Sequence, residues 1–229
     1  MLRRQVYPNG SKIDGADLYL DNYYYYYYSP TLAGLPAAIR EGETVNNGAS
    51  DAQAPDIAAA EQAFDGPIDQ VRQRMAIADP NPGVKPKMIA PATSAPMARA
   101  LKQRILRHKE TGPQYPPASP EILEGGMIWD NCIDALLAGT GNPDVRAGGL
   151  HLLGTIPQVS VGQGTLNGQP TLVLIASVFV PPGYQEELIV NASTGVPMEM
   201  VGDVSGQQPT VTVTYEITRV TAAAIEAEG

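Results

Sequence analysis

Val211, Val213, Tyr215 and Ile217 alternate with Thr210, Thr212, Thr214, Glu216 and Thr218. A period of two puts the first set on one face of a strand and the second set on the other. β-Branched and aromatic residues suit that pleated surface. A half-buried strand of this kind needs a sheet to sit in. The preceding residues supply its candidates. Stretches near 155–161 and 171–180 flank Asn167-Gly168, the favoured pair for a tight hairpin, in a loop of two residues or longer. Pro181-Pro182-Gly183 ends the second stretch. Two further strands are expected over 187–191 and 198–201, separated by Ser193-Thr194-Gly195, with a polar turn over 203–209. Short strands with turn signals between them predict an antiparallel β-sandwich or jelly roll over residues 150–229.

Residues 51–149 carry a different period. Ile57, Ala60, Glu61 and Phe64 have helical spacing after Pro55-Asp56. Pro67 suits a first helical turn and leads Ile68, Val71 and Met75 on one face. Asp69 and Arg72 are spaced to pair on the other face. A linker with Pro80, Pro82, Pro86 and Pro91 follows. A third helix is expected from Ser94-Ala95-Pro96, with Met97, Leu101 and Ile105 on its apolar face. Ser119-Pro120 opens a fourth, weakened at Gly125-Gly126 and ended by Gly139. Trp129, Ile133, Leu136 and Leu137 form its face. Residues 1–50 are punctuated by Gly, Pro and Asn and are expected to form an extended Tyr-rich arm or the first strands of the sheet. The fold class that results is α+β: an extended N-terminal arm, a helical middle and a C-terminal antiparallel sandwich or jelly roll.

The 229 residues carry a net charge of −9, unevenly spread. Between residues 85 and 109 there are seven cations and no acid: Lys85, Lys87, Arg99, Lys102, Arg104, Arg107 and Lys109. The rest of the chain is net −16. A basic island in an acidic chain suits contact with acidic faces of other copies. A solvated face and nucleic-acid phosphates are the competing readings, and the overall acidity argues against the last. The longest apolar run, near 172–180, is too short to span a bilayer as a helix. No apolar stretch follows Arg3-Arg4, so a soluble chain without a classical export signal is expected. The Asn9-Gly10-Ser11 and Asn191-Ala192-Ser193 glycosylation patterns are then chance matches.

Tyr23, Tyr24, Tyr25, Tyr26, Tyr27 and Tyr28 are consecutive. In a strand their rings alternate between two faces. Tyrosine offers contact area and a polar tip, and it is enriched at interfaces. The run is therefore an interface candidate, against the plainer reading of a buried strand within one domain. A stacking platform for sugars or bases is a weaker reading.

The catalytic inventory is thin. Cys132, the one cysteine, excludes an internal disulfide and is expected to pack as a small hydrophobe. His108 lies among cations, which disfavour its charged form. No nucleophile-elbow motif accompanies His151. Asp130 and Asp134 share a helical face and can serve acid–base work or hold a cation, but a solvated face is the plainer account. Glu186-Glu187 is expected at an exposed strand end. Gly139-Thr140-Gly141-Asn142-Pro143 and Gly162-Gln163-Gly164 lack the dinucleotide and P-loop spacings and are expected to be turns.

The stretch Gln208-Pro209-Thr210-Val211-Thr212-Val213-Thr214-Tyr215-Glu216-Ile217-Thr218-Arg219-Val220 resembles the closing strand of viral capsid and decoration domains. Together with Val178-Phe179-Val180-Pro181-Pro182-Gly183 it is similar in pattern to single jelly-roll virion proteins, over roughly residues 150–220. The resemblance implies a structural subunit in a virion or in the host cytoplasm, with other subunits as partners. The expectation is therefore a non-enzymatic assembly protein with no cofactor, metal or small-molecule substrate. Its interface residues are the six tyrosines with Arg99, Lys102, Arg104, Arg107 and Lys109. The alternatives are a β-sandwich module that binds glycan or a cell surface, and an enzyme whose site is assembled from Asp130, Asp134, His151 and Cys132.

Overall fold

The computed structural model describes residues 1–19, 26–40, 53–78, 119–177, 184–204 and 211–217. These residues form an α+β fold with one antiparallel sheet. Its strands are β1 (Leu2–Val6), β2 (Lys12–Tyr19), β3 (Tyr26–Ser29), β4 (Val159–Leu166), β5 (Gln169–Ala176), β6 (Tyr184–Asn191), β7 (Pro197–Val204) and β8 (Val211–Glu216). Between β3 and β4 lie the helices α1 (Leu35–Arg40), α2 (Gln53–Glu61), α3 (Ile68–Ala76), α4 (Pro120–Ala138) and α5 (Pro143–Leu153).

The strand order is β3-β2-β1-β8-β7-β6-β5-β4. Consecutive strands are neighbours on each side, and the two runs join where β1 pairs with β8, Leu2 opposite Glu216 and Gln5 opposite Val213. The first strands thus belong to the sheet rather than to a free arm. Among the described residues the strands make a single meandering sheet, not a jelly roll. A jelly roll needs connections that cross between two sheets, whereas here β1–β3 and β4–β8 each pair in sequence order and meet in one sheet through the β1–β8 pair. Helices, rather than a second sheet, cover the apolar strand faces.

Local chemistry sets the elements. The Ser119 hydroxyl accepts from the Ile122 N–H and Pro120 occupies the first turn of α4. Asn142 Oδ1 accepts from the Asp144 N–H ahead of α5. Helix α4 runs unbroken through Gly125, which is buried. Asn167 and Gly168 take positive φ of 52° and 76°, and Leu166 pairs with Gln169, so the hairpin turn has two residues. Positions 155–158 precede the strand rather than belong to it. Gly162-Gln163-Gly164 is mid-strand, not a turn. A Cβ at Gly164 would press on Thr171 Oγ1 at 3.0 Å, so the missing side chain suits the close cross-strand contact.

Strand register places two cores on opposite faces. Leu174, Ala176, Leu188 and Val190 are buried with Trp129, Cys132, Leu136, Val71, Met75 and Leu152 of the helices. The other face carries Ala16 with Leu2 and Leu18, covered by Leu35 and Ile39 of α1. Helix α5 approaches α2 so closely that a Cβ on Gly148 would overlap the Ala60 carbonyl. Arg72 does not pair with Asp69 as spacing suggested. Its Nε lies 3.3 Å from Glu124 Oε1 and its Nη1 donates to the Thr155 carbonyl at 2.6 Å, because α4 and the turn after α5 offer acceptors on that side. Phe64 falls beyond the end of α2 and is exposed.

Candidate functional site

Trp129 and Asp130 are successive residues of α4, and α4 lies over the sheet. Trp129 is fully buried, and its indole N–H needs an acceptor there. It donates to Glu186 Oε2 at 2.9 Å. The Tyr184 hydroxyl donates to Glu186 Oε1 at 3.2 Å, so both carboxylate oxygens are engaged. Opposite Glu186 on β7 stands Gly202. A Cβ there would sit 2.5 Å from the Tyr184 hydroxyl oxygen, so glycine leaves room for the phenol. The expectation of an exposed strand end at Glu186 is thus corrected. Period two had placed Glu186 on the face of Leu188 and Val190, and that face is the buried one.

Asp130 completes the cluster. Burial pushes its carboxyl up to about 8, and the charges of Glu186 and Asp134 push the same way. Burial also raises Glu186, while the Trp129 and Tyr184 hydrogen bonds hold it down. The expected solvated face at Asp130 and Asp134 is therefore wrong for Asp130, whose burial favours the protonated carboxyl. Tyr215 of β8 has its phenol raised by burial. Arg3 opposes that rise, and Asp134, Glu186 and Asp17 add to it. Arg3 pairs with Asp17, Nε to Oδ2 at 3.4 Å. Carboxyls, phenols and one guanidinium from α4, β6, β8, β1 and β2 thus lie within electrostatic reach of one another. Burial and mutual repulsion in this group favour the protonated forms of its acids. Among the described residues, no group of three or more His, Cys, Asp or Glu side chains is arranged to hold a metal ion.

The other candidates stand apart from this cluster. His151 stacks on Phe64 with ring centroids 4.7 Å apart. Cys132 is fully buried, and burial together with the charge of Asp56 raises its thiol, which suits packing and not nucleophilic attack. Gly139-Thr140-Gly141-Asn142 makes the turn between α4 and α5, and Pro143 opens α5. Tyr26, Tyr27 and Tyr28 form β3, whose backbone pairs with β2, Tyr28 opposite Asp17. Tyr23, Tyr24 and Tyr25 lie outside the described residues, as do Arg99, Lys102, Arg104, Arg107, Lys109 and His108. Among the described residues no helix is long and apolar enough to cross a membrane.

No family model, no curated protein and no solved structure matches this chain.

Proposed function

We propose that the chain is a structural subunit of a large protein assembly of the virion type, as a capsid, decoration or connector protein, acting through contacts between subunits. The observation that carries the proposal is the position of the tyrosine run. Tyr26, Tyr27 and Tyr28 form an outer strand of the sheet, with β2 as their one strand partner among the described residues. An outer strand offers main-chain donors and acceptors to a neighbour. Tyrosine adds contact area at small entropic cost. An open meander serves this role without a jelly roll. The basic island, Arg99, Lys102, Arg104, Arg107 and Lys109 with Lys85 and Lys87, adds charge complementarity to the acidic remainder of other copies. The setting is the virion, or the host cytoplasm before assembly.

The test is the native mass by sedimentation, before and after Tyr24, Tyr26 and Tyr28 are replaced by Ser. A large particle that the triple variant fails to form is expected. A chain that stays monomeric at every concentration overturns the proposal. Contacts made by the basic island should weaken as salt shortens the screening length from roughly 10 Å at 0.1 M.

One observation favours a second reading. A general acid needs a carboxyl whose protonated form is favoured, and burial shifts Asp130 in that direction, to about 8. Screening the purified protein against hydrolase substrates, with Asp130→Asn as control, tests this. Turnover abolished in the variant would support an enzyme.

A further inference from the structure

The sheet has a second outer strand, β4, whose one strand partner among the described residues is β5. Natural outer strands are blunted by lysine, proline, bulges or short length. β4 has eight residues, VSVGQGTL, with no charge and no proline. Its register with β5 runs without a break from Val159 opposite Ala176 to Leu166 opposite Gln169. Val161 is 57% exposed. The strand also sits in the longest charge-free stretch of the sequence. From Leu152 to Gln185 there is no Asp, Glu, Lys, Arg or His. Copies of a chain with net charge −9 repel one another at most approaches. Two copies brought together along β4 would set no like charges of that strand against each other.

The backbone groups that face outward follow from the hairpin. A two-residue turn makes Leu166 and Gln169 the closing hydrogen-bonded pair. Alternation then directs the N–H and C=O of Leu166, Gly164, Gly162 and Ser160 toward β5. Two facts agree. Pro170, which has no N–H, stands opposite Thr165, where none is required toward β4. The Ser177 N–H donates to the Gln158 carbonyl at 3.1 Å, which continues the even series. Val161, Gln163 and Thr165 therefore turn their N–H and C=O away from β5. Val159 is excluded as a donor, since its N–H is spent on the Ile156 carbonyl at 3.0 Å.

We infer that β4 pairs antiparallel with β4 of a second copy of this chain, about a two-fold axis at Gln163. Gln163 faces its own equivalent, and Val161 faces Thr165 of the partner subunit. The pairing makes about six main-chain hydrogen bonds and joins two sheets into one. Pairing of β4 with β3 of another copy is the lesser match, because β3 has only four residues. This inference rests on the assembly proposal and names one of its surfaces.

The experiment compares sedimentation of the full chain with Gln163→Lys, Gln163→Pro and Gln163→Cys variants, with circular dichroism to verify folding. Lysine sets two like charges on the axis. Proline removes an outward donor and leaves the β5 ladder intact. Each should weaken self-association at least tenfold. With Cys132 buried, the thiol of the Gln163→Cys variant should link two chains on oxidation, since hydrogen-bonded partners lie about 5.5 Å apart between Cα atoms, within disulfide range. Unchanged association in the first two variants, or no covalent dimer in the third, overturns the inference. If large particles persist through all three variants, the inference falls and the assembly proposal stands. If the wild type stops at a dimer that Gln163→Lys splits, the inference stands and the large assembly falls. A wild type monomeric at every concentration removes both.

Discussion

The Trp129 indole N–H donates to Glu186 Oε2 at 2.9 Å, joining α4 to β6 across 57 residues of sequence. It is a hydrogen bond to a buried acid, so its loss leaves an acceptor without its donor. Trp129→Phe should therefore destabilise the fold by more than the change in packing alone. About 1–3 kcal/mol of the loss would come from the stranded carboxylate. Urea unfolding measures the total. The double change with Glu186→Gln should recover part of it, because a neutral amide costs less to bury.

Stability should fall as pH rises from about 4 to about 8. The Asp130 carboxyl titrates near 3.8 when unfolded and is raised to about 8 in the fold. Between those values the unfolded chain releases a proton that the folded chain retains. The contribution is fully present below the lower value and is lost as pH climbs through the upper one. The raised carboxyl of Glu186 acts in the same direction. Urea midpoints measured across that range should slope downward for the wild type and less steeply for Asp130→Asn. Equal slopes would show that Asp130 is not the titrating group.

Gly148→Ala should destabilise the protein by about 1–3 kcal/mol, because α5 and α2 must part to admit a methyl group. Gly141→Ala is the control. Nothing lies within 4 Å of its added Cβ, so its melting temperature should stay near that of the wild type.

Cys132 should resist thiol reagents in the native protein and react in full after unfolding. It is fully buried and its thiol is raised. The reaction rate with an aromatic disulfide then reports opening of the interior. Prompt labelling under native conditions would contradict the packing around α4.

Local signals in the sequence were strong where the element was local. The alternation at Val211, Val213 and Tyr215 became β8, Asn167-Gly168 became the turn, and Ser119 with Gly139 bounded α4. Pairing between distant strands was not legible. No local pattern says that Leu2 will lie opposite Glu216, since that choice depends on which sheet edge is left open. The Asp130–Glu186 cluster was half legible. Period two aligned Glu186 with Leu188 and Val190, but a charged residue near a strand end reads as solvated until the helix above it is known. The basic island gave a clear charge signal, but its residues lie outside the described part of the fold.

The junction of β1 and β8 also sets an order of events. The strands near residue 2 and near residue 216 are neighbours in space and nearly the whole chain apart in sequence. During synthesis β1, β2 and β3 emerge first and lack the strand that seats them. The hairpins of β4 to β7 can form from local contacts, yet their sheet also waits for β8. The β1–β3 meander is therefore made long before β8, the strand that joins it to β4–β7, and its β1 edge stays open over that interval.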